Sequence, residues 1–458
     1  MSAARYTLDV TARRSRDGLV IAGGSPARLV RLTPAGRDAL DAALSGRPGG
    51  GPAATRLIER LVAAGLLHPV GGTESLRVGR VSFVLPIRDA ARWLRPLIAA
   101  LAPEGEVIVV DDGSRDGSGA IARAEGARVM PNRGLPGPSG ARNTGLAAAR
   151  TELVAFVDGD VHPTAGWLRP LVPLFADGRV ALAGPRVASA AGPSLVERYE
   201  RSSSPLDLGA HPGLVGPGRR LTYLPSAALV ARRAALLEVG GFDEDLRIGE
   251  DVDLVWRLVK RGRTVRYAPE SVVEHRPRGS LVALAQQRYT YGRSAALLER
   301  RHPGCASALQ LTPQTAVIWL AAAALGPVAA ASAFAASTLS ASLSTGGTRE
   351  VVALAADGHL RAGRHVARVL IREWLPGTAL ASLVSRRARR LALGALAVHG
   401  MASRAGDDRL NPLVHVAVLA LDATAYSAGL WRGVIGERSL GAVSVRRMTR
   451  PAGPGAAR

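Results

Sequence analysis

The feature that most constrains the fold is a set of apolar runs that alternate with helical segments between residues 81 and 157. Residues 107–110 and 153–157 are apolar at every position, and residues 81–86 are apolar apart from one serine. Strands that are apolar throughout and alternate with helices are typical of a parallel sheet covered on both faces. We therefore predict an α/β domain that binds its ligand outside the carboxyl ends of the strands.

Carboxylates follow two of these predicted strands. Asp111 and Asp112 come directly after the second strand, and Asp158 and Asp160 come directly after the last. Asp is also common in turns, so a single pair has an equally good structural explanation, whereas two pairs at strand ends indicate a site. Asp158 and Asp160 are two residues apart, so in an extended segment their side chains point the same way. Carboxylate oxygens in this arrangement suit Mg²⁺ or Mn²⁺, with positions left for water and phosphate oxygens.

A third acidic cluster, Glu250-Asp251-Val252-Asp253, precedes a segment with helical spacing. Acidic residues in a first helical turn favour the helix dipole and need no further role. The functional alternative is a general base that accepts the proton of an acceptor hydroxyl. Spacing alone leaves both explanations open. The sequence contains no Walker A pattern, which excludes a P-loop nucleotide site.

Composition excludes several classes of protein. Of 458 residues, 47% are hydrophobic and 21% are charged, which excludes a disordered or collagen-like chain. The single cysteine, Cys305, excludes a disulfide scaffold and a cysteine-rich zinc site. The net charge of +22 favours phosphate-bearing partners, but the arginines are scattered without stacking aromatics, so we predict no nucleic-acid partner. The polar residues 1–18 contain no apolar run and no secretory signal, which predicts a cytoplasmic location for most of the protein.

The pattern of segments predicts three parts. Residues 1–76 contain two short strands and two short helices, which predicts a small α+β module of winged-helix or peptide-binding type, or else a structural cap. The Thr33-Pro34 pair predicts the start of its first helix, with threonine as the cap. Residues 77–280 hold the apolar strands and the acidic clusters, and residues 281–458 are helical in spacing.

Two apolar stretches predict that the C-terminal part is associated with a membrane. Residues 311–348 carry no charged side chain, and the run from Ala316 to Ala336 is long enough to span a bilayer. A second stretch, 410–431, is interrupted by two polar residues, and the basic segment 349–390 between them is expected on the cytoplasmic side. A pair of buried alanine-rich helices remains the alternative.

Five motifs occur in order, at residues 84–88, 109–114, 139–146, 155–160 and 240–254. Together they resemble those of the family 2 glycosyltransferases. The resemblance implies a GT-A fold, a nucleoside diphosphate sugar donor such as UDP-glucose, a divalent cofactor (Mg²⁺ or Mn²⁺) and transfer of a hexose with inversion. Within that family the chain resembles the mycofactocin-type subgroup, which implies that a peptide-derived redox cofactor accepts β-linked glucose units. The likeness to the subgroup rests further on residues 23–29, 223–228 and 291–292.

The same resemblance implies a role for each matching residue. Asp251 matches the catalytic base, and Glu250 stands next to it. Asp160 matches a metal ligand, and His275 matches a later contact to the metal or the diphosphate. The residues that match donor-binding positions are Pro86, Arg88, Asp111, Asp112, Asn143 and Asp158.

Other functions remain open at this stage. One alternative is a family 2 enzyme that acts on a lipid carrier or a cell-surface polysaccharide. Another is a membrane protein that binds nucleotide sugars without catalysis. Residues 286–289 (Gln-Gln-Arg-Tyr) resemble the Q/R-x-x-R-W motif of processive relatives, but a tyrosine stands in place of the tryptophan, so processivity is not predicted.

Overall fold

A computed structural model describes residues 5–48, 50–70, 81–345, 349–403 and 410–447. These residues form two compact units. The first contains the described residues of Met1–Val10, Leu40–Pro193 and Ser204–Pro277, and the second contains those of Thr11–Ala39, Ser194–Ser203 and Arg278–Arg458. The predicted boundary between residues 76 and 77 lies outside the described residues, and the division into three segments stays a prediction.

The strands have the following bounds in chain order: β1 Arg5–Leu8, β2 Arg13–Arg14, β3 Val20–Gly23, β4 Arg28–Arg31, β5 Leu67–Val70, β6 Val81–Ile87, β7 Glu106–Asp111, β8 Arg128–Pro131, β9 Leu153–Val157, β10 Val161–Pro163, β11 Val180–Ser189, β12 Gly213–Leu214, β13 Ala228–Arg232, β14 Thr264–His275, β15 Leu309–Leu311 and β16 Val445–Arg447.

The helices have the following bounds: α1 Pro34–Leu44, α2 Gly51–Ala63, α3 Ala91–Leu101, α4 Ser118–Ala124, α5 Pro138–Ala148, α6 Leu195–Ser203, α7 Arg233–Glu238, α8 Glu250–Lys260, α9 Leu281–Arg301, α10 Pro313–Ala324, α11 Pro327–Thr345, α12 Arg349–Ile371, α13 Leu375–Val384, α14 Arg386–Ser403 and α15 Pro412–Glu437.

The first unit is built on one mixed sheet, which confirms the predicted α/β class. Its strands lie in the order β10-β14-β11-β13-β9-β6-β7-β8, with β12 paired to β14. The prediction of parallel strands is confirmed for the apolar runs on which it was made, and strands that follow them in the chain add antiparallel pairs. Strands β6 to β9 are parallel because α3, α4 and α5 provide the crossovers that parallel neighbours need. Strand β13 follows β11 and β12 in the chain and runs antiparallel to β9.

The core of this sheet positions helix α5 close to strand β6. Apolar side chains such as Phe83, Leu85 and Val157 are fully or nearly fully buried. Gly145 lies where α5 crosses β6, and a Cβ atom there would lie 2.2 Å from Val84 Cγ1. A glycine is therefore required for this close approach. The first turns of α5 thereby lie near the carboxyl ends of the parallel strands.

The second unit is mainly helical and centres on the pair of α9 and α15. Gly429 of α15 faces the backbone of Tyr289, and a Cβ atom would lie 1.8 Å from its carbonyl oxygen. Gly292 of α9 faces Tyr426 in the same way, at 2.1 Å. These glycines let the two backbones approach closely. The unit also contains the three-stranded antiparallel sheet β2-β3-β4 and the parallel pair β15-β16.

The apolar stretches differ from the sequence prediction. The run from Ala316 to Ala336 is not one spanning helix, because α10 ends before Leu325 and α11 begins at Pro327. Gly326 between them has a φ of +101°, which breaks the helix. Among the described residues, α15 alone is long and apolar enough to cross a bilayer, and 44% of its apolar window is buried inside the protein. A core helix of a soluble protein would pass the same test, so its membrane insertion stays a prediction.

Candidate active site

Helix α5 connects the acidic elements that the sequence singled out. Its consecutive residues Arg142, Asn143 and Thr144 point in different directions, because successive side chains on a helix are about 100° apart. Arg142 contacts carboxylates after β9 and at the start of α8, Asn143 contacts the segment before α8, and Thr144 contacts the segment after β8. One helix therefore holds together the elements that carry the predicted site.

Arg142 bridges two of the predicted acidic residues. Its side chain is 2% exposed, and its guanidinium donates to Asp158 Oδ1 at 2.7 Å and to Glu250 Oε1 at 2.9 Å. Burial alone would lower the pKa of Arg142, but the neighbouring carboxylates of Asp158, Glu250 and Asp251 raise it. Arg142 therefore remains charged, and it compensates part of the negative charge of the acidic residues.

Asp251 lies at the start of α8 with its carboxylate held by backbone amides. The Ser226 N–H donates to Asp251 Oδ2 at 3.2 Å, and the Val252 N–H donates to Oδ1 at 2.8 Å. Burial and the charge of Glu250 raise the pKa of Asp251 to about 7, although the two amides and Arg142 oppose the shift. A carboxyl group with a pKa near neutrality can accept a proton and release it again.

Glu250 has a different environment from that of Asp251. Its Oε1 atom accepts hydrogen bonds from Arg142 and from the Ser226 hydroxyl at 3.2 Å. Gly249 precedes it with a φ of +84°, which turns the chain so that both acidic residues open the helix. The two neighbouring acids thus have different partners, since Arg142 pairs with Glu250 and backbone amides hold Asp251.

Asp160 and His275 lie next to each other. Strands β10 and β14 pair antiparallel with Val161 opposite His275, and this register brings His275 Nε2 to 3.5 Å from Asp160 Oδ2. No group of three or more His, Cys, Asp or Glu residues in the described part of the chain is arranged to hold a metal ion. A carboxylate oxygen and an imidazole nitrogen suit Mn²⁺, and a site with two protein donors leaves positions for substrate oxygens. The two side chains therefore fit the predicted ion.

The predicted nucleotide side is formed around Asp112. The Asn132 side-chain amide donates to Asp112 Oδ1 at 2.6 Å, and the Thr144 hydroxyl donates to Asn132 Oδ1 at 3.2 Å. The side chain of Arg88 is 65% exposed, and its guanidinium lies 4.0 Å from Asp112 Oδ2. These contacts orient Asp112 and leave the Arg88 side chain accessible to a ligand.

Three other residues that were predicted to bind the nucleotide-sugar donor mainly contact other parts of the protein. Asp111 Oδ1 accepts a hydrogen bond from the Ser114 N–H at 2.8 Å, which closes the turn after β7. Pro86 lies within β6. The Asn143 amide donates to the Phe242 carbonyl and to Glu244, and it accepts from the Phe242 N–H, each at 2.8 Å. Their contact with a nucleotide stays a prediction.

Sequence reasoning missed several residues that arrange this site. Arg142 lies inside the 139–146 motif, but a buried guanidinium that bridges two acids cannot be recognised from spacing. Ser226 contacts both Glu250 and Asp251, although 24 and 25 residues separate it from them. Asn132 contacts Asp112 and Thr144, and Glu244 contacts Asn143 and the backbone N–H of Leu135 in the loop before α5. The only sequence signal for Arg142 and Ser226 was their position inside motifs that were used for recognition.

Comparison with known proteins identifies a family model and a relative that are similar to this chain. The family profile described as "Glycosyl transferase family 2" matches residues 82–235, which include β6, α5 and β9. The chain is 38% identical over 450 residues to a protein of Mycobacterium tuberculosis (strain CDC 1551 / Oshkosh) called pre-mycofactocin glycosyltransferase. That alignment covers 93% of this chain and 94% of the relative.

Solved structures share a lower similarity with the chain. A mannosyltransferase of Pyrobaculum calidifontis in complex with GDP-Man and Mn²⁺ is 18% identical, with a TM-score of 0.39 over 72% of this chain and 87% of that one. Glucosyl-3-phosphoglycerate synthase of Mycobacterium tuberculosis in complex with Mn²⁺, UDP-Glc and phosphoglyceric acid is 24% identical, with a TM-score of 0.35 over 48% and 79%.

Proposed function

The chain belongs to glycosyl transferase family 2, in the group of the pre-mycofactocin glycosyltransferase, and from this premise we propose that it transfers glucose from UDP-glucose to a hydroxyl acceptor with inversion. The observation that carries this proposal is the environment of Asp251. Its carboxylate has a pKa of about 7 and is held by amides, while the adjacent Glu250 is paired with Arg142. This arrangement supplies one carboxylate that can accept a proton near neutral pH.

In the proposed reaction, Asp251 removes the proton of the acceptor hydroxyl as the hydroxyl oxygen attacks the anomeric carbon. The bond from that carbon to the diphosphate breaks on the opposite face, and UDP leaves with the electron pair. Fixed positions for donor and acceptor supply much of the rate in such a displacement. We assign the orientation of the donor to Asp112, Arg88 and Asp158.

Asp160 and His275 are the residues that would hold Mg²⁺ or Mn²⁺. The ion, when bound, would neutralise charge on the diphosphate. The protein groups supply the orientation: the β10–β14 register fixes His275, and the backbone N–H of Arg276 donates to the Asp160 carbonyl at 3.4 Å. Metal dependence is therefore part of the proposal.

We further propose that the acceptor is a peptide-derived redox cofactor. The relative that aligns over 94% of its own length is called a pre-mycofactocin glycosyltransferase, which supports an acceptor of the same class. We also propose that the catalytic unit acts in the cytoplasm, with the C-terminal region at the membrane. Large apolar side chains of the C-terminal region such as Leu383 and Val384, which are 77% and 86% exposed, support that location.

The variant Asp251→Asn tests the proposed base. An amide cannot accept the proton, so we expect kcat to fall by about 10²- to 10⁴-fold while the affinity for UDP-glucose is retained. Mass spectrometry of hexose addition to the acceptor gives the rate, and calorimetry with UDP-glucose and Mn²⁺ gives the affinity. Asp245→Asn is a matched control, because it removes the same charge from an exposed position on the preceding loop.

The outcomes of this test separate its parts. Near-normal turnover by Asp251→Asn would show that another group is the base. Transfer to a lipid-linked acceptor in membrane extracts, with none to the peptide-derived compound, would replace the acceptor. Neither hexose transfer nor hydrolysis of UDP-glucose by the wild-type protein would favour a non-catalytic binding protein.

A further inference from the structure

Helix α13 is apolar in sequence, and none of its residues is buried. It carries no charged side chain, and Leu380, Leu383 and Val384 are 67%, 77% and 86% exposed. A helix that packs against a protein core normally buries its apolar side chains, and exposed apolar patches commonly mark contacts with partners or membranes. The end of α13 therefore presents an apolar surface without a protein neighbour among the described residues.

A cluster of arginines follows directly after this apolar surface. Arg386, Arg387, Arg389 and Arg390 open helix α14, and all four are exposed. No acidic residue occurs anywhere from residue 375 to residue 403. The guanidinium of Arg389 donates to the Ser382 carbonyl at 2.8 Å, which ties the start of α14 to the end of α13. The apolar side chains and the positive charges are thus fixed next to each other.

We propose that this α13–α14 corner, formed by Leu380, Leu383, Val384 and the three arginines 386, 387 and 390, binds the surface of a bilayer that contains anionic lipids. The apolar side chains enter the boundary between headgroups and acyl chains, and the arginines contact lipid phosphates. The proposal rests on the membrane location given under the proposed function, and it names the surface and the lipid class.

Charge and length decide between a lipid surface and a spanning helix. Helix α13 has 10 residues, so it is about 15 Å long and too short to cross a hydrocarbon core of about 30 Å. Its apolar residues therefore lie in the interface. The hairpin of α10 and α11 is also exposed and apolar, but it carries no charged residue, so it offers no attraction to anionic headgroups.

Vesicle flotation of the full-length protein tests the corner. We expect flotation with vesicles of equimolar phosphatidylcholine and phosphatidylglycerol, weaker flotation with phosphatidylcholine alone, and release by salt. The triple variant Arg386→Gln, Arg387→Gln, Arg390→Gln is expected to lower partitioning by about 100-fold, since each arginine near an anionic surface contributes roughly fivefold. The triple variant Leu380→Ser, Leu383→Ser, Val384→Ser is expected to lower it at least as much.

Two control variants make the result specific to the corner. The first replaces exposed arginines of the first unit, Arg123, Arg150 and Arg261, with glutamine and removes the same charge. The second replaces Leu320, Leu325 and Val328 of the α10–α11 hairpin with serine. Both are expected to float like the wild-type protein, and circular dichroism checks that all variants fold.

Three results would overturn the proposal. One is full flotation of both corner variants. Another is flotation that is lowered in the hairpin variant and in neither of the corner variants. The third is self-association without vesicles that the corner variants abolish, because the corner would then be an interface between copies of the chain. Hydrolysis of UDP-glucose in vesicle-free solution is measured in parallel, so a failure of membrane binding is distinguished from a failure of the proposed sugar transfer.

Discussion

Each of the two units buries one arginine between two carboxylates, and the surroundings of the two clusters differ. In the first unit, Arg142 contacts Asp158 and Glu250. In the second unit, Arg288 contacts Glu200 and donates to Asp422 Oδ2 at 2.7 Å. Both arginines are 2% exposed or less, so in each unit the carboxylates must compensate for the loss of water around a guanidinium.

The difference lies in the exposure of the acids. Asp158 is 29% exposed and follows a strand of the central sheet, whereas Glu200 and Asp422 are 5% and 9% exposed and lie between helices. The Tyr199 hydroxyl donates to Asp422 at 3.2 Å and satisfies the second cluster further. An ionic cluster whose members are all buried and hydrogen-bonded fixes the packing of helices. A cluster in which one carboxylate is partly exposed can also bind a ligand.

The largest expected effect follows the removal of Arg142, because stability and catalysis both depend on it. Arg142→Gln removes the buried cation that contacts Asp158 and Glu250, which is expected to lower the free energy of unfolding by about 3–5 kcal/mol. Displacement of Glu250 and Asp251 is expected to lower kcat by about 100-fold. Urea denaturation and hexose-transfer kinetics measure the two effects.

The pH profile separates positioning from general destabilisation. The carboxylate of Asp251 is the form that accepts a proton, so kcat of the wild-type protein should rise with pH through about 7. Arg142 lowers the pKa of Asp251, so its loss should move the rise to higher pH. The groups that also face Asp251 are Glu250, which raises its pKa, and the amides of Ser226 and Val252. In Arg142→Lys the rise of kcat should lie between that of the wild-type protein and that of Arg142→Gln, because lysine keeps a positive charge. A pH profile that is unchanged in Arg142→Gln would contradict the role of Arg142.

The second prediction concerns Arg288, whose removal should affect stability alone. Arg288→Met removes the cation that both Glu200 and Asp422 contact, and the free energy of unfolding is expected to fall by about 3–5 kcal/mol. The kcat of the folded fraction and its pH profile should stay unchanged, because no residue of this cluster belongs to the proposed site. A shift of the pH profile like that of Arg142→Gln would end the distinction between the two clusters.

A combined variant serves as the control for Arg288. Replacement of a whole buried ionic cluster by apolar residues is often neutral, whereas removal of one member is not. The variant Arg288→Met, Glu200→Leu, Asp422→Leu should therefore recover stability to within about 1 kcal/mol of the wild-type value. Thermal denaturation of the two variants side by side measures this recovery.

The comparison also shows what the sequence could predict. The parallel half of the sheet followed from apolar runs that alternate with helices, because both period and composition are local signals. Asp160 and His275 could be paired only through family resemblance, since they are 115 positions apart in the chain and only the register of β10 and β14 brings them together. The sequence contained no local signal that β13 would run antiparallel to β9.

The charged clusters were predicted least well. Arg288 lies in a segment that resembles an acceptor-end motif, and only the fold shows that it is buried against Glu200 and Asp422, which come from α6 and α15. Asp422 appeared in the sequence as an interruption of an apolar stretch, whereas it is the partner of Arg288. A buried ion pair needs both of its members to be located, and residues from three distant helices cannot be matched by spacing.

The smallest expected effect tests whether the losses predicted for the Arg142 and Arg288 variants arise from the burial of these arginines or from positive charge in general. Arg349 opens helix α12 and is exposed, so water already solvates its charge. Arg349→Ala should change the free energy of unfolding by less than about 0.5 kcal/mol, as surface substitutions usually do. Its kcat, its pH profile and its flotation with anionic vesicles should match those of the wild-type protein, because Arg349 belongs to neither buried cluster nor to the α13–α14 corner. A loss of stability comparable to that of Arg288→Met would mean that total positive charge stabilises the protein, and the contrast between buried and exposed arginines would then lose its physical basis.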